Sequence, residues 1–206
     1  MPFTETARVP LSGIDAQQVR NDHIAGLPEE FEVVNSLTFE IRRFGFTRRM
    51  VALGVTAVDS AKGTFGVVGM NPLGMRLFEV TGDENSARCV FALPELTRRG
   101  DVPGAIARDI RKVYYKRSPA PDAKVDIGES EVVFLQHEGD GVLEYVFGGA
   151  EADLLEKRYR EDGALKWAVW FYEYSMKNDK RVPKGIIVHS FEHRYRLILR
   201  LKEIRF

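Results

Sequence analysis

Apolar and polar residues alternate with a period of two along most of this chain, and that pattern confines it to sheet. Leu37, Phe39 and Ile41 alternate with Thr38, Glu40 and Arg42; Tyr195, Leu197, Leu199 and Leu201 alternate with Arg194, Arg196, Arg200 and Lys202, with Ile198 the exception on the second face. Successive side chains of a strand point to opposite faces, so these runs read as half-buried strands. Turn signals divide them: Phe44-Gly45-Phe46, Ser60-Ala61-Lys62-Gly63, Gly82-Asp83-Glu84-Asn85, Gly139-Asp140-Gly141, Glu161-Asp162-Gly163 and Lys177-Asn178-Asp179-Lys180. Glycine, asparagine and aspartate tolerate the positive φ of tight turns, so the strands are expected to meander antiparallel. About ten to eleven strands are too many for a small flat sheet and enough to curl one strongly, which creates a concave face. The fold class expected is mainly β (α+β).

Two segments break the period. Residues 12–24 predict a short helix with Ser12 or Asp15 as its cap. Residues 101–116 predict a firmer one, with Asp101 capping, Pro103 in the first turn and Val102, Ile106, Ile110, Val113 and Tyr114 on one stripe. That amphipathic helix suits the concave face as a plug. Residues 117–130 are polar and proline-bearing and read as a long crossover. The expectation is one domain over 1–206, with 1–24 an N-terminal extension and helix, 101–116 a lid helix and 117–130 the crossover loop. A chain of 206 residues, 44% hydrophobic and 29% charged, carries enough apolar surface for one substantial core.

Thirty Lys and Arg balance thirty Asp and Glu. No global field draws the chain to nucleic acid or to an anionic bilayer, so no nucleic-acid partner is expected and any membrane contact must be local. No apolar run reaches the roughly 18–20 residues of a spanning helix, and Met1-Pro2-Phe3-Thr4-Glu5 does not open like a secretory signal. The single cysteine, Cys89, can form neither an internal disulfide nor a cysteine-rich metal site and is expected as a small buried hydrophobe.

Catalytic chemistry has little to rest on. The four histidines, His23, His137, His189 and His193, accompany no Gly-x-Ser-x-Gly elbow and no His-Glu-x-x-His helix. His189 and His193 would lie roughly 13 Å apart on a continuous strand, too far to share an ion unless a tight turn at Phe191-Glu192 brought them together. Phe65-Gly66-Val67-Val68-Gly69 lacks the glycine spacing and the Gly-Lys-Ser/Thr of a phosphate loop. No catalytic residue, metal site or cofactor is expected. Residues 165–174 carry aromatics on both strand faces, so both faces there should be covered.

Between two strand-like runs stands Asn71-Pro72-Leu73-Gly74, which puts a leucine at the tip of a turn. Leaving it in water forgoes roughly 1.5–3 kcal/mol of burial, so a membrane, a partner or the core should cover it. The stretch Val68-Gly69-Met70-Asn71-Pro72-Leu73-Gly74-Met75-Arg76-Leu77-Phe78-Glu79-Val80 resembles the strand–turn–strand of the LolA/LolB lipoprotein-localisation family, in particular its LolB-like outer-membrane receptors, and Leu73 matches their protruding leucine. The order of elements is similar over roughly 19–206, from Val19-Arg20-Asn21 through the 101–116 helix to Trp167-Ala168-Val169-Trp170-Phe171, Val182-Pro183-Lys184-Gly185-Ile186-Ile187-Val188 and Tyr195-Arg196-Leu197-Ile198-Leu199-Arg200-Leu201.

The resemblance implies an unclosed antiparallel barrel with a helical lid over a hydrophobic cavity, and a binding protein rather than an enzyme. Its partners would be acyl chains of lipids or lipoproteins, a periplasmic LolA-like carrier, and a membrane surface touched by Asn71, Pro72, Leu73 and Gly74. Its place would be the cell envelope, periplasmic or outer-membrane-associated. Residues expected to line the cavity are Leu37, Phe39, Ile41, Leu53, Val55, Ile106, Ile110, Trp167, Val169, Leu197 and Leu199, although alternation leaves open which face is the inner one. No lipobox or N-terminal cysteine stands in the sequence, which leaves either a removed anchor or an unanchored relative. Phe44-Gly45-Phe46-Thr47-Arg48-Arg49 and the aromatics at 167–174 depart from the family's pattern and imply an altered ligand. Two other readings stand beside the carrier: an envelope module that uses Leu73, Met70 and Met75 as a protein-binding knob, and a small-molecule enzyme on the same sheet.

Overall fold

A computed structural model describes residues 2–11, 13–43, 46–98 and 101–206. Ser12, one of the two expected caps, and the Phe44-Gly45 turn residues lie outside the described residues.

Among the described residues twelve strands form one sheet. They are β1 (Glu30–Arg43), β2 (Phe46–Asp59), β3 (Thr64–Met70), β4 (Arg76–Asp83), β5 (Ala87–Ala92), β6 (Lys124–Ile127), β7 (Glu131–Glu138), β8 (Gly141–Gly148), β9 (Asp153–Glu161), β10 (Ala164–Lys177), β11 (Lys180–Ser190) and β12 (Tyr195–Arg205). Their order across the sheet is β5-β4-β3-β2-β1-β12-β11-β10-β9-β8-β7-β6, each neighbour antiparallel. The pairing of β1 with β12 joins the five early strands to the seven late ones. β5 and β6 remain as free edges, so the curled sheet does not close. Register shifts at Val34/Asn35, Gly69/Met70, Glu79/Val80, Val146/Phe147 and Leu165/Trp167 supply irregularities that sharpen the bend.

Among the described residues three helices accompany the sheet: α1 (Ala16–Gly26), the single turn α2 (Pro94–Thr97) and α3 (Val102–Tyr114). Asp15 caps α1 by accepting from the Gln17 N–H, and Asp101 caps α3 by accepting from the Gly104 N–H. The chain passes from edge β5 to edge β6 through α2 and α3, and α3 buries Ala107, Ile110, Val113 and Tyr114 against the concave face. The crossover is shorter than expected from composition, because Lys124–Ile127 within it pairs with β7 as the outermost strand. Its four residues are all exposed, and that is why no burial period marks it.

The main core lies between α3 and the concave face, with Val67, Val80, Phe134, Tyr145, Phe147, Val169 and Val188 among its members. A second, small cluster sits on the convex face, where Phe3 stacks on Tyr172 at 5.4 Å beside Ile187. The N-terminal segment thus straps the outside of the sheet: the Thr4 N–H donates to Glu173 Oε1, Arg200 donates to the Pro2 carbonyl, and Arg8 pairs with Glu131. Both faces of β10 are therefore covered, Trp167, Val169 and Phe171 inside and Trp170 and Tyr172 by the strap. Cys89 corrects an expectation: it is exposed, because it sits on the six-residue edge strand β5, of which Ala87–Val90 are all exposed.

Candidate functional site

Two features stand out, a cavity under α1 and the Leu73 turn. The cavity, about 820 Å³, lies at the end of the barrel where β1 and β9 begin and where β10 turns into β11. That is within the size range of ligand pockets. Its floor is α3 at Val113 and Tyr114; its walls include Phe31, Val33, Leu154, Phe171, Ile186 and Leu199; its roof is α1, through Val19 and His23, with Ile14 just before the helix.

The roof is held by few contacts. Val19 is its one buried residue, Arg20 donates to the Pro119 carbonyl at 2.9 Å, and His23 Nε2 lies 2.8 Å from the Arg117 carbonyl. A carbonyl only accepts, so His23 donates there from Nε2. Burial keeps the ring below its ordinary pKa, so the imidazole is neutral at pH 7. Its ring also meets Phe147 edge-on at 5.0 Å.

Several polar groups around the cavity are engaged within the protein. Arg117 donates to the Pro28 carbonyl and the Ser60 hydroxyl, and Arg181 makes a forked pair with Asp153 at 2.7 and 2.5 Å. Tyr174 donates to the Leu154 carbonyl at 2.7 Å. Lys157 is 1% exposed and donates to the carbonyls of Lys112 and Tyr115 at 2.8 and 2.9 Å, so it closes the C-terminal end of α3. Burial lowers its pKa to about 7, and the neutral amine still carries two N–H donors for two carbonyls. Asn35 donates to the Tyr114 hydroxyl at 3.4 Å, and burial raises that phenol to about 12. With these inner polar atoms satisfied internally, the apolar part of the wall is left for a ligand.

Register decides where the expected cavity residues go. Leu37, Phe39, Ile41, Leu197 and Leu199 share the concave face, since Leu37 pairs with Leu199, Phe39 with Leu197 and Ile41 with Tyr195. Trp167 and Val169 join them there. Leu53 and Val55 pair with Ser36 and Val34 and so stand on the opposite, convex face. Among the eleven, Leu199 lines the cavity; Ile110 and Val169 are buried in the core beside α3, and Leu37, Ile106, Trp167 and Leu197 pack against that core. The reason is α3, which fills the other half of the concavity. The lining that sequence reasoning passed over, Phe31, Val33, Leu154 and Ile186, belongs to the strand ends that α3 does not reach.

Asn71 builds the second feature. Its Oδ1 accepts the N–H groups of Leu73 and Met75, both at 3.0 Å, and its carbonyl accepts the Gly74 N–H at 2.9 Å. Pro72 fixes the first corner of the turn, and Gly74 has a φ of +82°, which a side chain would strain. The turn presents Leu73 92% exposed. It begins beside Leu53, which pairs with both Met70 and Ser36, and from there projects away from the cavity end of the strands.

Among the described residues no cluster of three or more His, Cys, Asp or Glu could hold a metal ion, and no helix is long and apolar enough to cross a membrane. A turn does separate His189 from His193, the one condition under which they could have met, yet each ring lies beside an aromatic, His189 on Phe191 at 4.1 Å and His193 by Tyr195.

No family model and no curated protein matches the sequence. Solved structures do match in shape. A LolA superfamily protein from Nitrosomonas europaea superposes with a TM-score of 0.58 at 9% identity over 94% of each chain. A DUF1329 family protein from Desulfovibrio piger ATCC 29098 gives 0.50 at 9% identity, over 92% of this chain and 90% of that one. The unclosed, helix-filled antiparallel sheet of this protein is a LolA-like fold.

Proposed function

We propose that the protein is a carrier that shelters acyl chains of lipids or lipoproteins in the cavity beneath α1 and delivers them to a membrane, as a LolB-like member of the bacterial envelope machinery. The observation that carries this reading is the cavity of about 820 Å³, walled by apolar side chains, with Arg181 and Asp153 at its wall paired to each other. His23 and Asp153 at the cavity wall are engaged by the Arg117 carbonyl and by Arg181, which leaves neither free to act on a substrate.

Magnitudes suit a relay. Burying one sixteen-carbon chain returns up to about 12 kcal/mol at about 0.8 kcal/mol per methylene, and association costs on the order of 4–15 kcal/mol. Net binding is modest and reversible. Entry and exit run past α1, the lightly held roof, whereas Leu73 faces the other way along the strands and serves docking. A periplasmic LolA-like carrier supplies the cargo in this reading.

Native mass spectrometry after incubation with membrane extract tests it. Discrete adducts that match acylated species, and that are lost in a Leu201→Trp variant filling the cavity, support the carrier. A clean apo mass across several lipid classes overturns it and favours the alternative in which the exposed Leu73 and Met75 dock a protein.

A further inference from the structure

We infer that the outer arm of β2, residues 46–52, which runs beside the Leu73 turn, is a docking surface for anionic phospholipid bilayers. Residues 53–59 of β2 pair with β3, while 46–52 continue past it, a reach of roughly 23 Å at about 3.3 Å per residue. That arm pairs with β1 alone along this stretch, and it carries apolar residues on both faces: Met50 lies opposite Phe39 and Val51 opposite Thr38. Phe46 is 78% exposed, Met50 49% and Val51 54%. The Leu73 turn rises beside the same arm, with Met75 55% exposed. The arm and the turn, distant in sequence, thus project in the same direction, with nothing of this chain over them among the described residues.

Charge selects the occupant. Residues 41–58 contain four arginines and no carboxylate, in a chain whose charges sum to zero. Arg49 and Arg196 share the buried Glu40, at 2.6 Å each, so that trio keeps one positive charge. Arg48 is exposed and has no ion-pair partner among the described residues; the adjoining β11–β12 turn adds Glu192 and Arg194, which cancel. Exposed aromatic and aliphatic side chains flanked by guanidinium groups suit a surface that offers hydrocarbon under negative headgroups. A neutral protein groove would leave those cations without counter-charge. The balanced total charge then confines attraction to one end and sets the orientation: β2 arm toward the bilayer, α1 and the cavity mouth away from it. The inference rests on the membrane part of the proposed function, not on the cavity.

Vesicle sedimentation of the full chain tests it, with phosphatidylcholine alone against phosphatidylcholine mixed with phosphatidylglycerol. Wild type is expected to bind the mixed vesicles, with binding that weakens as salt rises. Arg48→Gln should weaken it about five-fold and Phe46→Ser about ten-fold, with thermal midpoint and fatty-acid uptake unchanged in both. Equal binding to neutral vesicles, or variants that bind like wild type, would overturn the inference. So would absent vesicle binding with a wild-type dimer in sedimentation that Phe46→Ser dissolves, because the patch would then cover a second copy. Vesicle binding that persists in a protein unable to take up fatty acid would instead sink the carrier and leave this docking surface standing.

Discussion

Replacing Lys157 by methionine isolates one buried charge. Lys157 lies beneath the end of α3 with its Nζ on the Lys112 and Tyr115 carbonyls, and burial lowers its pKa from 10.5 to about 7, Arg117 and Lys116 adding to the same direction. The folded protein therefore holds fewer protons than the unfolded chain between pH 7 and about 10. Unfolding takes up a proton in that window, so stability rises with pH across it. At 1.36 kcal/mol per pH unit the whole interval is worth about 5 kcal/mol as a ceiling, which water penetration reduces. Lys157→Met removes the titration and also the two hydrogen bonds, at about 0.5–1.5 kcal/mol each. Urea unfolding of both proteins at steps from pH 6.5 to 9.5 reads the effect. Wild-type stability should gain on the variant by at least 1 kcal/mol from end to end. Tyr114 and the other buried phenols cancel in the difference, since both proteins hold them. A wild-type-minus-variant difference that stays level with pH would refute the reasoning, because Lys157 would then be charged in the fold at its ordinary pKa.

Two further substitutions probe the strap and the turn. A Cβ on Gly185 would stand 2.4 Å from the Phe3 ring, so Gly185→Ala should lift Phe3 off Tyr172 and cost about 1–2 kcal/mol in urea unfolding, with faster chymotrypsin cleavage near the N terminus; unaltered stability and protection would show the strap to be unimportant. Leu73→Glu should leave unfolding within about 0.5 kcal/mol of wild type and fatty-acid binding intact, while transfer of bound lipid to liposomes slows; a large stability loss would mean that Leu73 is buried in solution.

Period-two alternation carried the fold a long way, because a strand's side chains report the two faces of a sheet directly. The runs around Leu37 and Leu197, the α3 stripe and the Asn71-Pro72-Leu73-Gly74 turn are each local: a cap, a proline, a glycine at positive φ and a few side-chain hydrogen bonds within neighbouring residues specify them. Strand β6 escaped because four exposed residues at an edge have no burial period. Cys89 misled because a cysteine in an apolar run looks buried whether its strand is central or at an edge.

The cavity lining was out of reach for a different reason. Alternation groups Leu37, Phe39 and Leu199 on one face, yet whether that face meets ligand or packed helix depends on how far α3 extends along it, and the convex placement of Leu53 depends on the β1–β2 register. Both are set by contacts between residues far apart in the chain: Lys157 under the end of α3, Tyr195 donating to Asp109 at 2.6 Å, and β12 returning to β1. Strand positions, turns and the exposed leucine were therefore legible along the chain, because neighbours in sequence supply their energies. The plugged half, the open half and the shared direction of the β2 arm and the Leu73 turn emerged when the sheet curled, because long-range packing alone chooses among faces that local alternation leaves equivalent.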